Sequence, residues 1–374
     1  MKKNIIRVGI TINFSIQFQA NGLQQNIVFL KNLLDKLEDI DPIYIYKGDI
    51  PKENFIDKKY CLSIGDFIQK ESKYFDLVIL MGVCFAQNTL DTLKSANKNL
   101  KFVFMQCGNQ FIENSMRSVH FYEKVDYVNH FINGIDELWI LPQHSQNLSY
   151  MKTFYRVNSV RVVPYIWDSI FIDQQKKDLN FDEQENNYFC MNPQKIIILE
   201  PNLSIIKCCL LPLYIVESFE RKFPGVLSSC NIIGGKKIVE SHYFMRLLLQ
   251  MDICQKRKNF LKASNRYKFC EVVKLFGSTI ISHQIENDLN YLYFDALYLN
   301  LPLIHNSAKL RNYGYYYPHN DIDIAVNHLE EIIKNHNKNI AEYKSMNNEV
   351  INTYSVNNQN NKETYLKFVQ NLLK

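Results

Sequence analysis

The amino-acid sequence predicts two doubly wound α/β domains joined by a linker and followed by C-terminal helices. Three observations lead to this fold class. A chain of 374 residues is long enough for two domains of ordinary size. Strand and helix patterns alternate on both sides of a polar, aperiodic segment near residues 168–194. Several strand candidates are nearly continuous apolar runs, which parallel strands require when helices cover both faces of their sheet.

The first half of the chain alternates strands and helices from its beginning. Residues 7–14 form a β-rich run, and residues 23–39 repeat leucine and isoleucine at helical spacing. Further strand candidates lie at residues 41–46, 75–82, 100–107, 136–141 and 160–166. Helical stretches between parallel strands imply right-handed crossovers. These elements predict a Rossmann-like domain over residues 1–175.

A second alternation begins directly after the polar segment. Its candidates are strands at 195–200, 229–233, 279–283 and 301–305, and helices at 204–222, 238–251 and 287–299. We therefore place a linker at residues 176–194 and a second Rossmann-like domain at residues 195–335. Residues 336–374 are predicted to form helices that pack back toward the first domain. The carboxyl ends of the two sets of strands, facing each other, predict an interdomain cleft where a small molecule can bind.

The composition is that of an ordinary globular protein. The chain is 47% hydrophobic and 22% charged, which is ample for two cores. The formal net charge of +5 is modest and the basic residues are scattered, so nucleic acid is not an expected partner. A mild positive charge suits an anionic small ligand or a negatively charged membrane surface.

The cysteines and the apolar segments indicate a cytoplasmic protein. The nine cysteines contain no CxxC pair and no zinc-ligand spacing, a pattern typical of reduced thiols. No stretch approaches the roughly 18 apolar residues that a transmembrane helix needs. We therefore expect no transmembrane segment, and the positive charge leaves a peripheral position at the membrane open.

Ligands of doubly wound domains bind beyond the carboxyl ends of the strands, so the candidate residues are those that follow each strand. In the first domain these residues are Asn21, Gly22, Gln24, Asn109 and His144. Gly22 opens a helix whose free N–H groups can face an anion or a hydroxyl, although a turn glycine behind an N-capping asparagine fits equally. His144 is a candidate for orienting a ligand, with a surface or capping histidine as the alternative.

In the second domain the strand at 195–200 ends in Glu200, followed by Asn202, Ser204 and Lys207. A helix predicted from residue 204 puts Lys207 in its first turn, where a cation opposes the helix dipole. A bound diphosphate explains that placement, and a solvated lysine is the alternative. Gly234 follows the strand at 229–233 and either lines the same pocket or forms a plain turn.

The richest polar block is residues 282–307, where a strand leads through a polar loop into a helix and a further strand. Its candidate residues are His283, Glu286, Asn287, Asn290, Asp295 and Asn306. Asparagine and aspartate are poor formers of helix interiors. Hydrogen bonds to sugar or ribose hydroxyls explain their presence, while capping and exposure account for some of them. Asp321-Ile322-Asp323 lies at a predicted helix start, where aspartate is a routine cap rather than a metal ligand.

The block at 282–307 resembles the donor-binding signature of retaining glycosyltransferases with the GT-B fold. Residues 295–304, Asp-Ala-Leu through Pro-Leu-Ile, follow the second half of that signature position by position. The signature's glycines are absent, and Asn287 stands where the family has a glutamate, with Glu286 one position earlier. Lys207 occupies the place of the family's Arg/Lys diphosphate clamp, without the arginine. Residues 160–167 resemble the segment that closes the first GT-B domain.

Most of residues 7–318 also resembles the bacterial DUF2827 proteins. The shared motifs are Asn-Gly-x-x-Gln-Asn, Cys-Gly-Asn, Leu-Pro-Gln-His, Glu-Pro-Asn-x-Ser-x-x-Lys, Ser-His-Gln-x-Glu-Asn and Asp-Ala-Leu…Pro-Leu-x-His-Asn-Ser. Together the two resemblances imply a GT-B architecture and a glycosyltransferase that requires neither a metal nor another cofactor. Its substrates would be a nucleoside diphosphate sugar and an acceptor, either a glycan, a lipid-linked glycan or another molecule.

The resemblance also assigns roles to the candidate residues. Lys207 would stabilise the leaving diphosphate, Asp295 would hold the ribose, and Glu286 and Asn287 the donor sugar or phosphate. The other residues on the nucleotide-sugar side are Asn290, Glu200, Asn202, Ser204, His283, Gly234 and Asn306. Asn21, Gly22, Gln24 and Asn109 would lie on the acceptor side, with His144 as general base if the reaction inverts configuration.

Two alternatives stay open at the level of sequence. One is a sugar-nucleotide epimerase or hydrolase with the same fold, which forms product without an acceptor. The other is a non-catalytic nucleotide-sugar-binding protein, suggested by the missing glycines and by Asn287. It would bind the nucleotide sugar without turnover for any acceptor.

Overall fold

In the computed structural model of the protein, the described residues are 5–16, 18, 22–119, 133–180 and 193–374. They belong to two compact units. The first unit comprises Met1–Asp168 with Tyr354–Lys374, and the second comprises Ser169–Thr353. The division lies at residue 168 rather than 175 because the helix Ile170–Asp178 packs within the second unit, where Gln175 Oε1 accepts a hydrogen bond from Cys270 N at 3.0 Å. Of the predicted linker, residues 181–192 lie outside the described residues.

The first unit is built on a sheet of seven parallel strands in the order β3-β2-β1-β4-β5-β6-β7. Their bounds are β1 Ile6–Asn13, β2 Ile40–Lys47, β3 Cys61–Ser63, β4 Leu77–Leu80, β5 Lys101–Gln106, β6 Glu137–Ile140 and β7 Val160–Val162. Six of these strands correspond to predicted ones. β3 was not predicted, because it is a short, half-buried edge strand without an apolar run.

Helices and shorter helical turns connect these strands. The α-helices are Gly22–Leu34, Gln87–Ala96, Gln110–Val119, Leu148–Tyr155 and Gln359–Leu373, and the shorter turns are Lys58–Tyr60, Ile64–Asp66, Phe67–Glu71, Ser72–Tyr74 and Pro142–Asn147. The C-terminal helix packs on the fully buried Trp139, with Tyr365 and Phe368 at ring-centroid distances of 5.9 and 6.5 Å. Aromatic packing therefore ties the C-terminus to the first unit.

The second unit contains six parallel strands in the order β10-β9-β8-β11-β12-β13. Their bounds are β8 Lys195–Ile198, β9 Ser229–Ile233, β10 Leu261–Ser264, β11 Thr279–Ile281, β12 Leu303–His305 and β13 Tyr315–Tyr316. Its helical segments are Ile170–Asp178, Leu210–Lys222, Ile238–Glu240, His242–Leu248, Asp252–Gln255, Phe269–Phe276, Tyr291–Tyr298, Ala308–Leu310, Ile322–Asn335 and Ile340–Tyr354. The last of these lies in the second unit except for its final residue, and Tyr343 on it donates to Leu301 O at 2.8 Å.

Two predicted helices begin later than the sequence pattern indicated. The helix predicted from residue 204 begins at Leu210, because Asn202 adopts a left-handed conformation (φ 55°) and its Oδ1 accepts from Cys209 N at 2.8 Å. The helix predicted at 287–299 spans Tyr291–Tyr298, and Asn290 is its N-cap. In both cases an asparagine side chain bonds to nearby backbone and delays the helix.

Candidate functional site

The strand order of the second unit reverses between β8 and β11, and doubly wound sheets bind ligands in the crevice beyond such a pair. Glu200 follows β8, and Ser282 and His283 follow β11. The Oε1 atom of Glu200 accepts hydrogen bonds from the Ser282 hydroxyl and from the His283 backbone N–H, the latter at 3.3 Å. The structure thus brings Glu200 and His283, both predicted from the sequence, together at the point where the strand order reverses.

Glu200 is a buried carboxyl group with an incomplete set of hydrogen bonds. It is fully buried, and its Oε2 atom has no hydrogen-bond partner among the described residues. Burial raises the pKa of Glu200 to about 7, while the Ser282 hydrogen bond and the charge of Lys207 act in the opposite direction. Desolvation of the charged form is the largest influence. The carboxyl group therefore exchanges its proton near neutral pH and can accept or donate a hydrogen bond accordingly.

Replacing Glu200 by glutamine is expected to change how stability depends on pH. The folded-state pKa of about 7 lies above the usual 4.5, so the wild-type free energy of unfolding falls as the pH rises through this interval. Glutamine has no proton to lose, so this decrease is absent from Glu200→Gln. We expect the free energy of unfolding of the variant, relative to that of the wild type, to increase by about 2–3 kcal/mol between about pH 5 and about pH 8.

Urea unfolding followed by far-ultraviolet circular dichroism measures this difference at the two pH values. Glu240→Gln, in a short helical turn of the same unit, is the matched control and tests the general effect of removing one carboxylate. A difference between Glu200→Gln and wild type that stays constant with pH would contradict a raised pKa at Glu200.

The loop after Glu200 is an ordered turn and not the start of a helix. Asn202 Nδ2 donates to Glu200 O, and Asn202 N donates to Lys207 O at 3.1 Å. Ser204 O accepts from Lys207 N at 3.3 Å. Lys207 then pairs with Gln284, beyond β11, in an isolated antiparallel bridge. The prediction that Lys207 lies in a first helical turn is therefore wrong, and the helix-dipole argument does not apply to it.

A second cation, Arg266, lies close to Lys207. Burial lowers the pKa of Lys207, the charge of Glu200 raises it, and the charge of Arg266 lowers it further. Among the described residues, neither Lys207 nor Arg266 forms an ion pair within 4.0 Å. Two neighbouring cations without a carboxylate in contact repel each other, and a bound anion would relieve this repulsion.

Gly234 lies in contact with both Arg266 and the loop after β8. Its φ of +81° lies in the region that favours glycine, and a Cβ atom there would lie 3.4 Å from Arg266 Cγ and 3.5 Å from Glu200 O. The residues that follow β8, β9 and β10 therefore meet at Gly234. Sequence reasoning missed Arg266 because the short strand before it was not predicted, although Arg266 belongs to the densest basic region of the chain.

Amide side chains form the other wall of this site. The backbone of Gln284 is held by Asn306, whose Oδ1 accepts from Gln284 N at 2.9 Å and whose Nδ2 donates to Gln284 O at 2.8 Å. Gln284 Oε1 accepts from Asn287 Nδ2, and Gln284 Nε2 is buried without a partner among the described residues. His283 Nδ1 lies 3.0 Å from the Tyr317 hydroxyl, and burial lowers the pKa of His283 to about 4. This wall carries neutral groups, one of which is an unused hydrogen-bond donor.

The remaining predicted residues of the second unit lie around the helix Tyr291–Tyr298. The Asn290 side chain accepts from Leu292 N at 3.4 Å, so capping accounts for it. Asp295 is 9% exposed. Burial, followed by the charge of Asp295, raises the pKa of Cys270, which places Asp295 near the start of the helix after the Arg266 loop. Glu286 is exposed and adopts a positive φ of 47°.

The first unit has a corresponding reversal of strand order between β1 and β4. Gln24 is fully buried, and its Nε2 donates to Asn13 O at the end of β1 at 2.9 Å. Gly22 is the first residue of the helix Gly22–Leu34. Asn21, predicted as its N-cap, lies outside the described residues.

Asn109 and His144 lie at the ends of β5 and β6. Asn109 Oδ1 accepts from Ile112 N and from Asn147 Nδ2, both at 3.2 Å. His144 is fully buried, and its Nε2 lies 3.3 Å from Cys107 O. A buried ring bonded to a backbone carbonyl supports the loop in which it lies, so the geometry favours a positioning role for His144 over that of a general base.

The described residues contain no group of three or more His, Cys, Asp or Glu side chains arranged to hold a metal ion. Asp321 caps the helix Ile322–Asn335 by accepting from Ile324 N at 3.0 Å, in agreement with the capping interpretation. In the same parts of the chain, no helix is both long enough and apolar enough to cross a membrane.

The family of the chain follows from its sequence. A family model described as "Protein of unknown function (DUF2827)" matches residues 8–369. The chain belongs to the DUF2827 family. No curated protein matches it. The resemblance stated from the motifs is thereby confirmed.

Solved structures of glycosyltransferases match this DUF2827 protein along its length. A glycosyltransferase from Rickettsia africae matches with a TM-score of 0.60 at 13% identity, covering 99% of both chains. The pneumococcal O-GlcNAc transferase GtfA, in complex with UDP and GlcNAc, gives 0.58 at 9% identity and the same coverage. An E. coli trehalose-6-phosphate structure bound with UDP-2-fluoro glucose gives 0.59 at 13% identity, covering 98% of this chain and 99% of that one. The predicted α/β fold with GT-B architecture is confirmed.

Proposed function

We propose that this DUF2827 protein is a glycosyltransferase that transfers a sugar from a nucleoside diphosphate sugar to an acceptor. The observation that carries the proposal is a pair of cations. Lys207 lies in the loop after β8, and Arg266 lies in the loop after β10. Lys207 pairs with Gln284 next to the crevice where the strand order reverses, and Arg266 lies close to Lys207. Neither cation has a carboxylate in contact among the described residues. A diphosphate is the anion that suits two adjacent cations.

The two cations would act on the leaving group. Negative charge develops on the diphosphate as its bond to the sugar breaks, and fixed positive charge at that position stabilises the transition state. Because two protein cations supply this charge, metal independence is part of the proposal. Lys207 is anchored by its bridge to Gln284, so its backbone is held in place before the substrate binds.

The amide wall formed around Gln284 would bind the sugar of the donor together with Glu200. The unused Gln284 Nε2 and the Oε2 of Glu200 offer one hydrogen-bond donor and one titratable group to ligand hydroxyls. Asn287 stands where related enzymes have a glutamate, and its amide is bonded to Gln284. We propose Asp295 as the ribose ligand, since it lies near the helix that follows Arg266. In this scheme His144 positions a loop on the acceptor side. The reaction would take place in the cytoplasm or at the inner membrane surface.

A non-catalytic nucleotide-sugar-binding protein is the second candidate. The observation that favours it is the exposed Glu286, which departs from the family's position, together with the engagement of Asn287 by Gln284. Such a protein would bind the nucleotide sugar as tightly as an enzyme and would release no nucleoside diphosphate. Product release with and without acceptors also separates a transferase from an epimerase or hydrolase.

A panel of nucleoside diphosphates and their sugars should raise the melting temperature of the full-length protein selectively. At a hundredfold excess over the dissociation constant, one bound ligand stabilises the native state by about 2.7 kcal/mol. Asp295→Ala is expected to abolish the shift if Asp295 holds the ribose. The exposed Asp323→Ala is the matched control in the same unit and should keep the shift. If no ligand of the panel raises the melting temperature, the proposed donor site is wrong.

A further inference from the structure

At the carboxyl edge of the first unit's sheet, four of the seven strands, β1, β4, β5 and β6, are directly followed by uncharged stretches over the residues that the structure describes. By contrast, Lys47, Asp49 and Asp66 lie at the ends of β2 and β3. Residues 14–16 and 18 follow β1, 81–90 follow β4, 107–112 follow β5 and 141–150 follow β6. None of them is Asp, Glu, Lys or Arg, although 22% of the chain is charged. The helix after β1 is also uncharged from residue 22 to residue 30. The corresponding edge of the second unit carries Glu200, Lys207 and Arg266.

A buried, incomplete amide lies at this uncharged part of the edge. Gln24 is fully buried, and its Nε2 is bonded to Asn13 O, which fixes the amide at the end of β1. Its Oε1 has no hydrogen-bond partner among the described residues. A buried amide oxygen without a donor costs free energy. A ligand hydroxyl that donates to this oxygen would remove that cost.

Further amides at the same edge are preorganised by one another. Gln106 Nε2 donates to Gln110 Oε1 at 3.2 Å, and Gln110 Nε2 donates to Asn114 Oδ1 at 2.7 Å. Asn114 Nδ2 donates to the Tyr150 hydroxyl at 2.7 Å. Amides both donate and accept hydrogen bonds, as hydroxyl groups do, so they can bind hydroxyls without any charge.

An exposed aromatic ring adjoins this row of amides. Phe111 is 44% exposed and packs edge-on against Tyr150 at a ring-centroid distance of 5.1 Å. Single exposed hydrophobic side chains are common, so Phe111 is of interest because it lies beside the amides and not because of its exposure alone. The apolar C–H face of a sugar ring can cover such a ring while its hydroxyls bond to the neighbouring amides.

We propose that this edge binds an uncharged, hydroxyl-rich acceptor, which is a neutral saccharide. A phosphate or carboxylate bound at the ends of these four strands would lose its hydration without meeting a cation in the described residues that directly follow them, which is unfavourable. The inference rests on the proposed function, because it takes this edge as the acceptor side. It predicts that phosphorylated sugars, uronates and anionic lipid head groups bind more weakly at the acceptor position than neutral saccharides do.

The test uses an array of immobilised saccharides and the labelled full-length protein. Each neutral oligosaccharide is paired with counterparts that carry a phosphate, a sulfate or a uronate at one position. We expect binding to neutral members, at least tenfold weaker binding to their anionic counterparts, and signals that do not change between low and high salt. Preference for anionic members with a salt-sensitive signal would overturn the inference, as would a folded protein that binds no saccharide.

Two variants localise the binding. Phe111→Ala removes an exposed side chain and should weaken the array signal about tenfold, whereas Tyr243→Ala, at an exposed tyrosine of the second unit, should leave it unchanged. Gln24→Glu keeps the shape of the buried amide and adds a charge, so it too should weaken binding to neutral members. Equal signals for Phe111→Ala and Tyr243→Ala would place the saccharide elsewhere and overturn the assignment to this edge. The nucleotide thermal shift is measured in parallel, since its loss would instead indicate failure of the proposed function.

Discussion

Lys207→Met and Arg266→Ala are each expected to weaken the binding of nucleoside diphosphates by about 10- to 100-fold. A hydrogen bond between a cation and an anionic oxygen contributes about 1.5–3 kcal/mol, which sets this range. Both cations would contact the same diphosphate, so the double variant is expected to lose more than either single variant. The two losses need not add, because the charge of Arg266 also lowers the pKa of Lys207.

The loss of affinity in these variants is expected to depend on the number of phosphates in the ligand. Isothermal titration with a nucleoside, its monophosphate and its diphosphate should show the largest loss for the diphosphate and almost none for the nucleoside. Arg266→Lys keeps the charge and should retain part of the affinity. Lys258→Ala, which removes an exposed lysine elsewhere in the same unit, is the matched control. Equal losses for all three ligands would mean that the variants damage the fold and not a phosphate site.

Stability provides an independent check on the same pair. Lys207 is partly desolvated and lies near a like charge without an ion-pair partner in the described part of the chain. Removing Arg266 therefore relieves a repulsion in the ligand-free protein, and its melting temperature should stay constant or rise. Loss of function with unchanged or increased stability is the behaviour of a binding residue. A large decrease in melting temperature would instead assign Arg266 a structural role.

The central strands of both sheets could be predicted from the sequence, while of the four edge strands only β7 was predicted. β4 and β8 are continuous apolar runs because helices cover both of their faces. β10, whose sequence is Leu-Lys-Ala-Ser, is half-buried or exposed and has no such pattern. This difference had a functional consequence. Arg266 follows β10 closely, so failing to predict the strand also meant missing the residue.

The chemistry of the site was predictable by residue type but not by environment. Glu200 could be recognised as a carboxylate at a strand end, yet its raised pKa depends on burial beneath Ser282 and His283, which are distant in sequence. The conformation of Lys207 follows from the left-handed Asn202 and from a bridge to Gln284. Such long-range contacts decide whether a loop or a helix follows a strand, and local periodicity contains no information about them.

Acid is expected to unfold the second unit before the first. Three buried histidines of the second unit, His283, His305 and His336, have pKa values that burial lowers from 6.5 to about 4. In the unfolded chain each of them takes up a proton below about pH 6.5. A lowered folded-state pKa therefore contributes stability that is complete above pH 6.5 and is lost as the pH falls toward 4.

The hydrogen bonds of His305 explain why its neutral form is required. Its Nε2 lies 2.8 Å from Tyr313 O, and its Nδ1 accepts from Ser307 N at 3.1 Å. A proton on Nδ1 would face the Ser307 N–H and break that bond. Each of the three histidines can lower the free energy of unfolding by about 3 kcal/mol as the pH falls from 6.5 to 4. Together these losses approach the whole stability of a typical domain. Glu200 acts in the opposite sense, because its raised pKa favours the folded state as the pH falls.

The positions of the two tryptophans make this prediction measurable. Trp139 and Trp167 both belong to the first unit. During acid titration toward about pH 4, far-ultraviolet circular dichroism should lose part of the helical signal while the tryptophan emission is still native. His305→Gln can still donate to Tyr313 O and should move the first transition to lower pH, whereas His319→Gln, at an exposed position, should not. Coincident transitions in the two signals would contradict independent acid unfolding of the second unit, because the buried histidines could not then be its cause.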